Sequence, residues 1–349
     1  MRQAQPHPTS QIEKRDMTSP ASAPRPKRKI WNFTPQLPIQ TSPYWDWPMK
    51  PLASIKYLLQ SWNPLALRAL LLVFAIITWN FFTPSLERIA SLSWDWVFEI
   101  WFRNFCILMV VAGGLHLALW KFRTQADDYR YDMRPMMKGA KVFTFKNQVW
   151  DNMFWTLGPA LTFWTFWESF ILYAYANGWV TMITLDGNPV TFILMTIFIP
   201  VWAGFHFYWL HRLLHVGVLY TKVHAWHHRN INTGPWSGLA MHPVESFFLM
   251  FDTMIFFLLP SHPVLAIFLL FHHGIGAPTS HAGFEHLKIG NKAKFLVGDF
   301  FHQLHHRFFD CNYGTWETPW DEWFNTFHDG TEEGNEMVKE RRRKIWAAE

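Results

Sequence analysis

The chain has 349 residues, of which 50% are hydrophobic and only 16% charged, with 22 Trp and 33 Phe. That balance excludes a disordered or collagen-like polypeptide and fits poorly with a water-soluble enzyme. The formal net charge of +5 suggests no nucleic-acid partner, and two isolated cysteines, Cys106 and Cys311, are too few for a disulfide framework, a zinc ribbon or an iron–sulfur site. Histidine is the outlier, since fifteen of the eighteen fall between His206 and His306.

Residues 1–45 read as a disordered tail rich in Pro, Ser and Gln, with Arg25-Pro26-Lys27-Arg28-Lys29 as its basic centre. A cytoplasm-retained tail beside a membrane segment is the expectation here, rather than a nuclear-import signal. Residues 46–151 form an N-terminal membrane region. Residues 152–330 carry nearly all the histidines, and residues 331–349 are a charged C-terminal tail read as a solvated helix.

Four apolar runs are expected to span: Ala69 to Phe82, Asn104 to Trp120, Met153 to Thr184 and Val190 to Leu210. A hydrocarbon core of ~30 Å takes ~20 helical residues, which each run reaches with its flanks. Phe247 to Leu259 and Val264 to Phe271 are shorter. They flank Pro260-Ser261-His262-Pro263, the pattern of a hairpin that dips into the bilayer and returns. The fold class expected is therefore an all-α integral membrane protein, with about four transmembrane helices, a membrane hairpin and a cytoplasmic histidine-rich cap.

Lysine and arginine stay on the cytoplasmic side during insertion. The connection from Thr83 to Arg103 holds only Arg88 and Arg103, whereas Lys121 to Asp151 holds seven such residues. With the tail inside, four spans return the chain to the cytoplasm at His211. The hairpin then leaves everything from Gly274 onward on that same side. The protein is thus expected to be multi-pass, in a bacterial inner membrane or the endoplasmic reticulum.

Three histidine boxes follow. His211 and His215 are four apart and share a helix face. His224, His227 and His228 are related by steps of three and four, and His302, His305 and His306 repeat that spacing seventy-eight residues later. Adjacent histidines diverge by about 100° on a helix, so His227 and His228 suit two neighbouring ions. Imidazole accepts zinc, copper, iron or nickel, so ligand type alone does not name the metal. Eight imidazoles against a bilayer suit two iron ions and dioxygen better than a hydrolytic zinc, which usually keeps three protein ligands and a carboxylate base.

Other polar residues have plainer readings. His116 reads as a hydrogen-bonded core histidine, and His206 points about 140° away from His211, toward a neighbouring helix or a cavity. His272 and His273 are adjacent and share no helix face. Glu168, inside the third run, needs a partner or water, and a buried helix–helix hydrogen bond is its default.

The HxxxH, HxxHH and HxxHH boxes resemble the fatty acid hydroxylase/sterol desaturase superfamily of membrane-bound non-haem di-iron enzymes. Flanking residues agree: His242-Pro243-Val244-Glu245, His281-Ala282-Gly283-Phe284-Glu285, Asn312-Tyr313-Gly314 and Trp320-Asp321. The resemblance covers roughly Phe192 to Phe327. It departs at Phe324-Asn325-Thr326, where the family often has Phe-Gly-Thr. The resemblance implies that residues 152–330 are a fatty acid hydroxylase-like domain holding two iron ions, with O₂ as co-substrate. The ligands it implies are His211, His215, His224, His227, His228, His302, His305 and His306, joined by His281 and His286. His242 reads instead as a structural partner. Glu245, Glu285 and Asp299 are candidates to accept a ligand's second N–H.

The implied activity is hydroxylation or desaturation of a lipid within the bilayer. No dinucleotide fingerprint or internal electron carrier is visible. An external donor is therefore implied, a reductase with a ferredoxin or a cytochrome b5-like protein. Two other classes compete: a metal-dependent lipid hydrolase or isomerase, and a non-catalytic lipid-binding protein with a structural metal site.

Overall fold

The computed structural model describes residues 31–60, 62–290, 292–315 and 318–346, and over these the protein is largely helical with one two-stranded sheet. The basic cluster at 25–29 lies outside the described residues. After a short helix, α1 (Pro51–Gln60), long helices follow the four apolar runs: α2 (Trp62–Phe82), α3 (Trp94–Lys121), α4 (residues 148–176) and α5 (Pro189–Leu214). Three helices, α3, α5 and Pro263–Ser280, are long and apolar enough to cross a membrane, and α2 contributes a shorter apolar stretch, Ala66–Phe82. The third run stops short of Thr184. Its helix ends at Ala176 because Gly178, at φ +71°, turns the chain into the left-handed region that glycine tolerates.

Beyond α5, a helical stretch α6 (residues 217–228) contains a π-helical turn at Tyr220–His224. The two short apolar arms are helical: α7 (Pro243–Leu249) runs into a 3-10 stretch, Met250–Phe257, and after the Pro260 turn comes α8 (Pro263–Gly274). All of α8 is buried, and it packs against α2, α4 and α5. Gly274 permits that closeness, since a Cβ there would stand 2.5 Å from the Trp164 ring. Strands β1 (His286–Ile289) and β2 (Lys292–Leu296) pair antiparallel before α9 (Phe300–Phe308), and α10 (Glu332–Trp346) ends the described chain.

The described parts of both tails, residues 31–45 and 332–346, pack on the rest of the protein. Trp31, Phe33 and Ile39 pack against Tyr131, Phe300 and Leu304, and the Asn32 amide donates to the Tyr131 carbonyl at 2.8 Å. Three apolar anchors thus order a segment whose average composition is polar. In α10, Arg342 reaches Asp310 at 2.6 Å, and Arg341 and Arg342 hold the Asp310 and Phe308 carbonyls. One face of that helix therefore docks on the end of α9.

Glu168 has the helix–helix role. Its carboxylate accepts from Arg103 on one oxygen and from Asn104 at 2.9 Å on the other, joining α3 to α4. Arg103 also donates to the Phe82 carbonyl at 3.2 Å, which ties in the end of α2. Removing one partner strands a buried charge. Glu168→Ala is expected to destabilise the protein by roughly 3–5 kcal/mol, and Arg103→Ala with Glu168→Ala by less than the sum of the two. Denaturant unfolding in detergent measures this; a loss below about 1 kcal/mol, the range of an exposed pair, contradicts it.

Candidate metal centre

Four helical ends build the site. His211 and His215 lie one turn apart where α5 ends, and His224, His227 and His228 occupy the last turns of α6. α9 starts at Asp299, whose carboxylate accepts the His302 amide at 3.3 Å, and so presents His302, His305 and His306. His281 follows the helical turn after α8. Helical geometry then sorts the rings. Residues four apart stay together and adjacent residues part, so His224 and His228 share one group while His302 and His306 share another. The result is two groups able to hold an ion each: His211, His215, His224, His228 and His305 in one, and His227, His281, His302 and His306 in the other.

Ring nitrogens meet in a way that hydrogen bonding alone does not satisfy. In the first group, His228 Nε2 faces the Nε2 atoms of His215, His224 and His305 at 3.1, 3.0 and 3.0 Å. One ring nitrogen carries either one proton or one lone pair, so it cannot match three others. In the second group, His281 Nε2 faces those of His227, His302 and His306 at 3.2, 3.2 and 2.9 Å. Its Nδ1 donates to the Ala277 carbonyl at 2.8 Å, which leaves Nε2 as a lone pair with three neighbours. A cation at each focus satisfies every member at once, and the all-imidazole donor set is one that iron and zinc accept. The residues present therefore fit a pair of metal ions.

Burial supplies the correct protonation state. It holds the His227 imidazole down at about 4 and pushes His228, His302, His305 and His306 well below the usual range, neighbouring imidazoles adding to it for the last four. These rings are neutral at pH 7, the form a metal requires. Second nitrogens are oriented from behind: His211 Nδ1 donates to the Tyr313 carbonyl at 2.7 Å, His305 Nδ1 to the Cys311 carbonyl at 2.6 Å, and His224 Nδ1 to Glu245 at 2.8 Å.

Of the three carboxylates considered from sequence, only Glu245 accepts from the imidazole of a box histidine. Glu285 takes the Tyr131 hydroxyl, burial raising its carboxyl to about 7, and Asp299 caps α9 with its carboxyl raised to about 6. Asp321 went unassigned. Its carboxylate accepts the Tyr313 and Gly314 amides at 2.8 and 2.7 Å, holding the carbonyl on which His211 rests. The Asn312-Tyr313-Gly314 and Trp320-Asp321 elements were its only sequence signal.

The structure does not bring His286 to either group. Gly283, at φ +79°, turns the chain after His281, and His286 lies on β1 with its ring edge-on to Tyr129 at 5.2 Å. His242 caps α7, accepting the Val244 amide at 3.2 Å, as a structural residue does. Beside the two groups lies an apolar cavity. His211, His224, His227, His281 and His302 line it, with Phe207, Leu210, Met241 and Leu249 among its apolar walls.

Residues 196–326 match the model of the fatty acid hydroxylase family. The chain is 32% identical over 142 residues to a Delta(7)-sterol 5(6)-desaturase of Candida dubliniensis, covering 40% of this chain and 36% of that protein. It is 31% identical over 163 residues to lathosterol oxidase of Mus musculus, covering 46% of this chain and 50% of the relative. Against a Delta(7)-sterol-C5(6)-desaturase of Nicotiana tabacum it is 30% identical over 169 residues, 46% of this chain and 60% of the relative. The chain thus spans between about a third and 60% of the length of these relatives. No solved structure matches it. The segment that carries all three boxes is the one the family match covers, and the chain is similar to the fatty acid hydroxylase family and to the sterol desaturases.

Proposed function

We propose that this protein is a membrane-bound, O₂-dependent oxidoreductase that hydroxylates or desaturates a lipid, with two iron ions held by the two histidine groups. His211, His215, His224, His228 and His305 would hold one ion, and His227, His281, His302 and His306 the other. The observation that carries the reading is the meeting of nine Nε2-bearing rings in two foci, inside the segment that matches the family. The sterol desaturases and lathosterol oxidase among the relatives make a sterol the first lipid class to test.

The chemistry a pair of iron ions supplies there is reduction of dioxygen coupled to oxidation of a C–H bond. Either outcome takes two electrons and two protons from outside, giving one alcohol and one water, or one double bond and two waters. A reductase with a ferredoxin or cytochrome b5-like partner would deliver the electrons. Among the chain's own residues, the Tyr313, Cys311 and Ala277 carbonyls and Glu245 fix ring orientation. Phe207, Leu210, Met241 and Leu249 exclude water and align the lipid beside the imidazoles.

Within the proposal, α2 to α5 are four spans in the N-terminal region 46–151 and the hydroxylase domain 152–330, and the boxes face the cytoplasm. What supports a returning hairpin is that His227 and His281 lie in contact at 3.2 Å. The intervening chain must leave and re-join one side, although Pro263–Ser280 has the length and apolarity of a span. The membrane is a bacterial inner membrane or the endoplasmic reticulum.

Three outcomes are expected. In iron-loaded protein, His228→Ala and His281→Ala each remove one ion. Glu245→Gln weakens iron binding in the first group by about 10- to 100-fold, because His224 loses its fixed tautomer. Metal analysis after dialysis against graded chelator reports both, and unchanged iron content in either histidine variant contradicts the ligand assignment. Cysteines placed at Ser93 and Thr331 should label from opposite sides of sealed vesicles; labelling from one side overturns the four-span count. Finally, the protein with O₂ and NAD(P)H should turn over a sterol or other lipid only when a reductase chain is added. Heavy oxygen appears in a hydroxylated product and not in a desaturated lipid. Turnover under strict anaerobiosis without another oxidant defeats the reading and favours a hydrolase.

A further inference from the structure

Apart from the boxes, one other cluster brings together potential metal ligands among the described residues. His206 on α5, Asp252 on the 3-10 stretch and His273 on α8 offer ligand atoms that all lie within 4.8 Å of one another. Three separate elements supply them, so the cluster is a product of packing rather than of local sequence. His273 Nε2 meets Asp252 Oδ2 at 2.7 Å. Trp202 pins the arrangement, its indole N–H donating to the Asp252 carbonyl at 3.0 Å.

Two further polar atoms of the cluster are unsatisfied. Asp252 Oδ1 and His206 Nδ1 are both buried without a hydrogen-bond partner, while Asp252 is 1% exposed and His273 6%. A carboxylate inside an apolar helix bundle is retained only when paired, wet or bound to a cation. Here one oxygen has His273 and the other has nothing. Unlike the box groups, where one ring nitrogen faces three others, this cluster has one made pair and two buried atoms, a carboxylate oxygen and a ring nitrogen, left over beside it.

We propose that His206, Asp252 and His273 form a third metal site, separate from the paired centre, which takes a single divalent ion of the zinc or iron class. Two imidazoles and one carboxylate are a donor set that zinc and non-haem iron(II) both accept. Three protein ligands leave a further position for water or a small ligand. His273 also lines the apolar cavity beside the boxes, so the ion would sit at that cavity's wall. Bound there, it would lock α5, the 3-10 stretch and α8 together and so hold the cavity wall in place.

The site stands on its own residues and is tested by its own ion count. Detergent-purified protein, stripped and reloaded with Co²⁺, is analysed for cobalt per chain beside Asp252→Asn and His206→Phe. Both variants fill nearly the original volume. The wild type is expected to hold three ions, and each variant two, with the visible cobalt absorption reduced by the one site lost. Retention of the full wild-type cobalt content by both variants overturns the third site. Should Asp252→Asn fail to fold, His206→Phe decides by the same count. The paired-centre reading fails separately: there, His228→Ala and His281→Ala would leave the metal content unchanged while Asp252→Asn lowers it.

Discussion

The constraint on which the molecule depends is that a single imidazole nitrogen cannot satisfy three others. His228 Nε2 and His281 Nε2 each face three neighbouring rings within hydrogen-bond distance. Such foci are held open against lone-pair repulsion only by rigid supports or by a cation. The chain supplies the supports: a carbonyl or carboxylate behind His211, His224, His281 and His305, and Asp321 behind the Tyr313 carbonyl. Glu245 lies on α7, Ala277 in the turn after α8, and Cys311 and Tyr313 in the loop after α9, so the centre is held by the packing of all three.

That rigidity has its source in the membrane-facing core. α8, buried at every residue, is the axis on which α2, α4 and α5 pack, and it delivers the chain back to His281. The Arg103–Glu168–Asn104 cluster fixes α3 against α4 at a depth where an unpaired charge is costly. At the other end, α10 and the segment from Trp31 close over α9, with Arg342 on Asp310 and Trp31 edge-on to Phe300 at 5.2 Å. The third histidine box is thus clamped from both sides by segments distant in sequence.

Much of the site was legible because helical spacing is a local property. The separation of His227 from His228, and of His305 from His306, into different groups follows from the 100° step alone. His281 was visible only through family resemblance, and the same source placed His286 beside it. Gly283 shows why the second failed: a left-handed turn two residues after His281 sends the chain into a strand, and a spacing of five implies nothing once the helix has ended. The supporting carbonyls were not legible, since backbone acceptors carry no side-chain signal, and Asp321 showed only as part of the Trp320-Asp321 element, without its role. His206 and His273 had plainer readings and Asp252 had none, because they lie far apart in sequence. Only packing brings three elements together.

The central claim, that the two histidine groups are two metal foci, is most directly tested by anomalous diffraction from crystals of iron-loaded protein at the iron edge. The account predicts one peak enclosed by His211, His215, His224, His228 and His305, and another enclosed by His227, His281, His302 and His306. A single peak shared between the groups, or the absence of a peak from either, would contradict it.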